Sequence, residues 1–202
     1  RGKVRDTFDL GDRLLLVTTD RQSAFDRVLA AIPFKGQVLN QVSAFWFEQT
    51  RDIVQNHVID IPDVNVTLGR KGRVVPIEFV VRSYMTGSTS TSIWKNYEAG
   101  MREYCGHSLP EGMVKSQKLE RAIVTPTTKD DAHDELTSGD ALVERGVVDR
   151  DTWEQMEEIA LSLFARGQET AAANGLILAD TKYEIAYDSE GQIMLVDELH
   201  TP

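Results

Sequence analysis

From residue 176 to residue 198 the chain reads LILADTKYEIAYDSEGQIMLVDE. Apolar runs at 176–178 and 193–196 flank Asp188-Ser189-Glu190-Gly191, a pattern that predicts a β-hairpin. Strand side chains alternate faces, so Asp180, Lys182 and Glu184 share one face and Thr181, Tyr183 and Ile185 the other. A four-residue loop pairs Tyr187 with Gln192, sets Lys182 opposite Asp197 and adds Asp197 to the charged face. A slip of one residue turns Asp197 away.

The remaining pattern predicts elements in order. RGKVRD at the start and the apolar run at 14–17 read as two strands joined at Asp9-Leu10-Gly11-Asp12. DRQSAFD, residues 20–26, reads as a loop that carries Asp20, Arg21, Ser23 and Asp26, which fits either binding groups or a capped turn. Val38, Leu39, Val42, Phe45, Trp46 and Ile53 recur at helical spacing, so 37–51 is expected to be a helix with its aromatics in the core. Residues 74–82 form a strand with Pro76 near its start. Glu78 and Arg82 lie four apart on one face of it, either paired with each other or meeting a ligand.

Hydroxyls at 88–92 lead into a helix over 93–98 as ready N-caps. The mixed stretch 100–120 is expected to be an irregular connection and a lobe boundary. A short strand at 123–129 ends in hydroxyls and Lys129, followed by acidic residues 130–135. His133 lacks a second histidine at ligand spacing, which favours a capped, acidic helix start over a metal site. The longest helix is expected over 149–174, with Trp153, Met156, Ile159, Ala160, Leu163 and Phe164 in period, Asp149 or Asp151 as cap and Asn174-Gly175 as the stop.

With 202 residues the chain is long enough for one large domain or two lobes. Its 22 basic and 32 acidic residues leave a formal charge of -10, which argues against a nucleic-acid surface and a polybasic membrane footprint. The lone Cys105 excludes an internal disulfide framework and fits a reducing compartment. No apolar run reaches bilayer length and no signal peptide opens the chain, which starts at Arg1 without Met.

Charge changes the picture of the hairpin. Carboxylates and an ammonium crowded on one strand face repel or desolvate one another unless a cation or phosphate lies among them. Hard oxygens beside a lysine suit Mg²⁺ and nucleotide phosphates; a solvated face of Lys-Glu pairs is the plainer alternative. Gly2 beside Lys3 and Arg5 offers backbone N–H groups and two cations to phosphates, or forms an ordinary surface strand. The Gly-Ser turn at 87–88 adds an anion-compatible helix start.

These stretches together resemble the SAICAR synthetases, the phosphoribosylaminoimidazole-succinocarboxamide synthases of purine biosynthesis. The resemblance runs through GKVRD, DRQSAFD, KGQVLNQVSAFWF, VVPIEFVVRSYMTGS, TPTTKDDAHDE, GLILADTKYE and DELHTP, nearly the whole chain. It implies a two-lobed α/β (α+β) fold akin to ATP-grasp enzymes and protein kinases, with a nucleotide cleft between an N-terminal β-rich lobe (1–82) and a C-terminal α/β lobe (83–202). It also implies an ATP-dependent ligase that joins L-aspartate to the carboxylate of CAIR through an acyl phosphate.

On this resemblance Glu184 and Asp197 are Mg²⁺ ligands, Lys182 meets a phosphate and Asp180 orients substrate or lysine. Gly2, Lys3 and Arg5 belong to a flap over the phosphates, and Glu78 lies where adenosine is held. Arg82 and Ser88 hold the CAIR phosphate or its surroundings. Lys129 and Asp134 shape the acidic-substrate region, and Asp20, Ser23 and Asp26 lie near the cleft.

Ser83 stands where the family usually has glycine, and Ile185-Ala186 where Phe-Gly is common. The chain stops at Pro202, ahead of a family Asp-Ser-Ser-Arg segment whose arginine contacts the CAIR phosphate, which implies either weakened CAIR binding or a segment that follows Pro202 in the whole protein. The implied partners are ATP, Mg²⁺, CAIR and aspartate, with no nucleic acid or membrane; a homo-oligomer is left open. A cytoplasmic enzyme is implied, with an organellar location left open because a leading targeting segment could have been lost. Two rivals remain: a nucleotide-binding domain without turnover, and a related kinase or ligase for another small acid.

Overall fold

A computed structural model of the chain describes residues 2–24, 27–128 and 135–201. Strands β1 (Arg5–Asp9), β2 (Arg13–Thr18), β3 (Arg21–Ala24) and β4 (Arg27–Ala31) precede helix α1 (Lys35–Gln49) and strands β5 (Val58–Asp63) and β6 (Val66–Arg70). There follow β7 (Arg73–Tyr84), α2 (Ile93–Glu98), β8 (Glu103–Tyr104), β9 (His107–Ser108), β10 (Lys118–Thr128) and β11 (Glu135–Leu136). Helices α3 (Gly139–Glu144) and α4 (Arg150–Ala173) and strands β12 (Asp180–Tyr187) and β13 (Ile193–Val196) complete the mixed α+β chain. Its compact units are residues 1–74 with 185–202, and residues 75–184. The first change of unit lies within β7, as does the division expected at Arg82; the second lies within β12.

In the first unit an antiparallel sheet runs β1-β2-β6-β5. Gly11, at φ 96, closes the β1–β2 turn with its N–H on the Asp9 carboxylate. The segment expected as a loop at 20–26 instead contains β3, paired with β4. Asp20 accepts from the Phe34 and Gly36 N–H groups at 3.2 and 3.0 Å and so anchors the start of α1. Gly36 is required there, since a Cβ would lie 2.4 Å from the Thr18 carbonyl oxygen.

Helix α1 buries Leu39, Asn40, Ser43 and Phe47, one stripe at helical spacing. Phe47 is 3% exposed while Phe45 and Val38 are 50% and 52% exposed, so only part of the aromatic content expected in the core lies there. The buried Asn40 is satisfied: its carbonyl accepts from Thr67 at 2.8 Å and its amide donates to Val64 O at 3.3 Å.

In the second unit, β10 pairs antiparallel with β7 and β11. Alternation along β7 sends Ile77, Phe79 and Val81, all fully buried, to one face. Trp153 of α4 stacks on Phe79 with ring centres 5.6 Å apart, and Met156, Ala160, Leu163 and Phe164 extend the same stripe. Asp149 caps α4 by accepting from Thr152 N at 2.9 Å, and Gly175 (φ 71) follows its end, both as the pattern predicts.

Two expectations fail in this unit. The stretch expected as an irregular connection contains the β8–β9 hairpin, turned by Cys105 and Gly106 in left-handed conformations. It closes a second core of Met85, Ile93, Tyr97, Tyr104, Leu109, Leu119 and Ile123. Leu176 and Ile177, expected to open the hairpin strand, lie outside any strand and are 66% and 73% exposed. The strand starts at Asp180.

His57 in the first unit is buried against the edge of Phe47 and beneath Gly69, where a Cβ would lie 2.6 Å from the imidazole. Neither ring nitrogen has a hydrogen-bond partner. Burial pushes its pKa down to about 4, against the pull of the Asp197 charge. Below pH 6.5 the unfolded chain therefore binds a proton that the folded chain refuses. Stability is expected to fall by about 3 kcal/mol as pH drops through that window, and to level off below it. Urea midpoints measured from pH 7 to pH 4 check this, and His57→Leu should remove its share of the slope, leaving that of His200, which burial also pushes down to about 4.

Candidate active site

The face of the second unit's sheet opposite α4 is charged. Glu78 and Arg82 on β7, Thr125 and Thr127 on β10, and Asp180, Lys182 and Glu184 on β12 project from it. The register sets Thr127 opposite Glu78 and Thr125 opposite Val80, which carries both hydroxyls to that face. Thr125 and Thr127 join the site without being among the residues the sequence motifs single out, and their two-residue spacing in a strand is the one signal of it.

Glu78 and Arg82 do not pair with each other; each finds its partner on β12. Lys182 Nζ donates to Glu78 Oε1 at 2.8 Å and to Glu184 Oε1 at 3.2 Å, while Thr127 donates to the other Glu78 oxygen at 3.4 Å. The Arg82 guanidinium donates to Thr125 Oγ1 at 3.1 Å, to Asp180 Oδ2 at 3.1 Å and to the Thr91 carbonyl at 3.5 Å. Arg82 is itself almost wholly buried, so its planar fork is held rigidly. The face reads as two cross-strand ion pairs that share one sheet surface.

Burial works against the Lys182 charge, but the hydrogen bond it donates to Glu78 and the fields of Glu184 and Glu78 outweigh it and raise the ammonium pKa well above the ordinary lysine value. The side chain is 45% exposed, so solvent screens the contribution to stability. That contribution is present below the unfolded lysine pKa and is lost as pH rises through the folded one.

Ser83, beside Arg82, uses the hydroxyl that a glycine would lack. It donates to Ala179 O at 3.1 Å and accepts from Gln168 Nε2 of α4 at 3.0 Å. The same amide reaches Leu178 O at 3.4 Å, so α4 and β7 together hold the backbone that leads into Asp180. Ile185 and Ala186 are fully buried. Ser88 lies exposed in the turn after Gly87 (φ 103), where a Cβ would collide with Ser92.

The first unit holds the other expected residues. Arg5 forms ion pairs with Asp197 and, at 3.3 Å, with Glu198. Gly2 N donates to Arg5 O at 2.9 Å, and Arg21 ties the same segment down through Lys3 O, Gly2 O and Asp6. Asp20 is engaged at the start of α1, and Ser23 lies in β3 opposite Val28. Asp26, Lys129 and Asp134 fall outside the described residues.

The β12–β13 turn closes one residue tighter than expected. Asp188 N donates to Gln192 O at 3.0 Å, Gly191 N returns to Asp188 O at 3.2 Å, and Gly191 has φ 78. Asp188, not Tyr187, therefore faces Gln192, because a turn that ends on a left-handed glycine closes on three residues. Strand β13 ends at Val196, and Asp197 has φ 69. Alternation along the hairpin therefore does not determine where the Asp197 side chain points. A non-glycine residue in this conformation stores strain that the Arg5 ion pair helps to hold.

Comparison with solved structures gives the class of this fold. It matches the SAICAR-synthase from Saccharomyces cerevisiae complexed with SAICAR at a TM-score of 0.88 and 34% identity, over 100% of this chain and 72% of that one. It matches a SAICAR synthetase (Type-2) in complex with ADP at a TM-score of 0.82 and 25% identity, over 98% and 79% of the two chains. The SAICAR synthetase family model matches residues 1–202, and the chain belongs to that family. The phosphoribosylaminoimidazole-succinocarboxamide synthase of Legionella pneumophila (strain Paris) is 56% identical over all of this chain, and the chloroplastic synthase of Vigna aconitifolia 58%. The chain spans 65% and 59% of those relatives' lengths.

Glu78→Gln removes the stronger of the two carboxylate contacts. The Lys182 pKa, followed by NMR of the reductively methylated amine, is expected to drop toward 10.5 in that variant. An unchanged value would show that Glu184 alone sets the charge state.

Proposed function

We propose that the protein joins L-aspartate to the carboxylate of CAIR, with ATP consumed and SAICAR, ADP and phosphate released. The observation that carries this reading is the sheet face on which Lys182 lies between Glu78 and Glu184 beside the Arg82–Asp180 pair, in a chain of this family. A carboxylate is a poor electrophile. In the proposed first step a CAIR carboxylate oxygen attacks the γ-phosphorus of ATP and ADP leaves. In the second the aspartate amine attacks the acyl carbon, phosphate departs, and the amine proton passes to phosphate or solvent.

Such chemistry asks the protein for position and charge balance more than for covalent help. Lys182 holds positive charge at the transferring phosphate across the whole physiological pH range, because its carboxylate neighbours keep it protonated. Asp180, paired with Arg82 and not with the lysine, orients the substrate through that arginine, and Arg82 with Ser88 receives the phosphate monoester of CAIR, for which a guanidinium fork is the suited donor. Gly2, Lys3 and Arg5 cover the nucleotide phosphates. Glu78, bonded to Lys182, contributes more to that lysine than to adenosine. Ser23, Asp26, Lys129 and Asp134 are assigned to the substrate side on the resemblance alone, and Asp20 has its task at α1.

Mg²⁺ fits the donor set. Among the described residues no group of three or more His, Cys, Asp or Glu is placed to hold a metal unaided. Mg²⁺ is ordinarily held by one or two carboxylates together with phosphates and water, however. Glu184, a half-buried hard-oxygen donor already facing an ammonium, is the ligand proposed in the second unit, and Asp197 the one in the first. When bound, the ion would neutralise phosphate charge. Among the described residues no helix is long and apolar enough to cross a membrane; a cytoplasmic setting is proposed, and two plant relatives are named as chloroplastic.

Phosphate release that requires both CAIR and aspartate is the deciding measurement. Lys182→Ala and Asp197→Asn are each expected to lower turnover about a hundredfold or more with circular dichroism unchanged. ADP binding without such release would favour a nucleotide-binding domain instead, and release that persists without CAIR would favour a ligase or kinase for another acid.

A further inference from the structure

Tyr104 is fully buried on β8, its ring packed in the core of Met85, Ile93, Leu119 and Ile123. Its hydroxyl donates to the carbonyl of Thr91, the same oxygen that receives Arg82 Nη2 at 3.5 Å. Thr91 belongs to the hydroxyl-rich turn that starts at Ser88, and Asn96 holds that turn from the other side through Ser90 O and Ser92 O at 2.8 and 2.9 Å. A buried phenol left without a partner loses about 1–3 kcal/mol, so the Tyr104–Thr91 bond is enforced by the packing of the ring. One backbone carbonyl thus connects a core tyrosine, the turn and the arginine.

We propose that Tyr104 is a positioning residue for the phosphate-monoester end of the substrate. It fixes the Thr91 carbonyl, and that carbonyl, with Thr125 Oγ1 and Asp180, sets the plane of the Arg82 guanidinium and its alignment with the Ser88 turn. The ligand class is a sugar phosphate monoester that takes a guanidinium on one side and turn hydroxyls on the other. This inference rests on the reading of Arg82 and Ser88 given above. It goes beyond that reading by assigning a task to a residue in the stretch that had looked like a connection.

Tyr104→Phe keeps the ring and deletes the contact. Titration with CAIR, and separately with ribose 5-phosphate, is expected to show about a tenfold rise in Kd. The Kd of ADP, and kcat at saturating CAIR, should stay within about twofold. A residue that only braces the fold would lower Tm and leave both phosphate-monoester affinities at the wild-type value, and that result overturns the proposal. So does a wild-type protein that binds neither phosphate monoester. Wild-type protein that binds ribose 5-phosphate without CAIR-dependent phosphate release defeats the ligase reading alone, and the Tyr104 comparison then proceeds on ribose 5-phosphate. If Tyr104→Phe does not fold, Thr91→Pro, which distorts the same carbonyl from the turn side, gives the affinity comparison, with wild-type affinity again overturning the proposal.

Discussion

Lys182 lies between Glu78 and Glu184, and the charged face of the second unit's sheet depends on that ammonium. Two carboxylates that are nearly buried would face each other with no counter-charge to offset their lost hydration if it were removed; breaking such a pair costs about 3–5 kcal/mol in fully buried cases and less where, as here, the lysine is partly wet. Arg82 and Asp180 repeat the arrangement one step along the same strands. Both pairs run across strands, so they tie β7 to β12 by side chains as well as by backbone, and a register slip would break both together.

That face exists because the strands alternate. Ile77, Phe79 and Val81 pack toward α4 while Glu78 and Arg82 turn away. Tyr183 is fully buried while its neighbours Lys182 and Glu184 reach the charged side. The apolar half therefore gives the charged half a rigid floor. Hydroxyls from β10 take up the remaining bonding capacity: Thr127 satisfies Glu78, and Thr125 satisfies Arg82 and donates to Val80 O.

The second core, built around Met85, Tyr97 and Tyr104, links packing to the site. Its tyrosine hydroxyl and the Arg82 guanidinium meet at the Thr91 carbonyl, so the hydroxyl turn after β7 is held from inside the protein. The Ser83 hydroxyl does the same for the backbone ahead of Asp180, with Gln168 of α4 as its partner. The charged groups thus rest on neutral contacts that carry no charge signal.

By itself the sequence determined what local periodicity and side-chain chemistry can encode. The bounds of α2 and α4, the β1–β2 turn, the shared face of Asp180, Lys182 and Glu184, and the family motifs follow from spacing, caps and residue type, which act over a few positions. Only the tertiary structure decided which charges meet. Glu78 pairs with Lys182 and Arg82 with Asp180, about a hundred residues apart in each case, and no local pattern encodes which strand lies beside which. The three-residue closure at Asp188 and the left-handed Asp197 escaped the alternation argument, because a turn type is chosen by backbone hydrogen bonds as well as by turn composition. Tyr104 escaped it for a different reason: its importance comes from a neighbouring carbonyl that only folding brings to its hydroxyl.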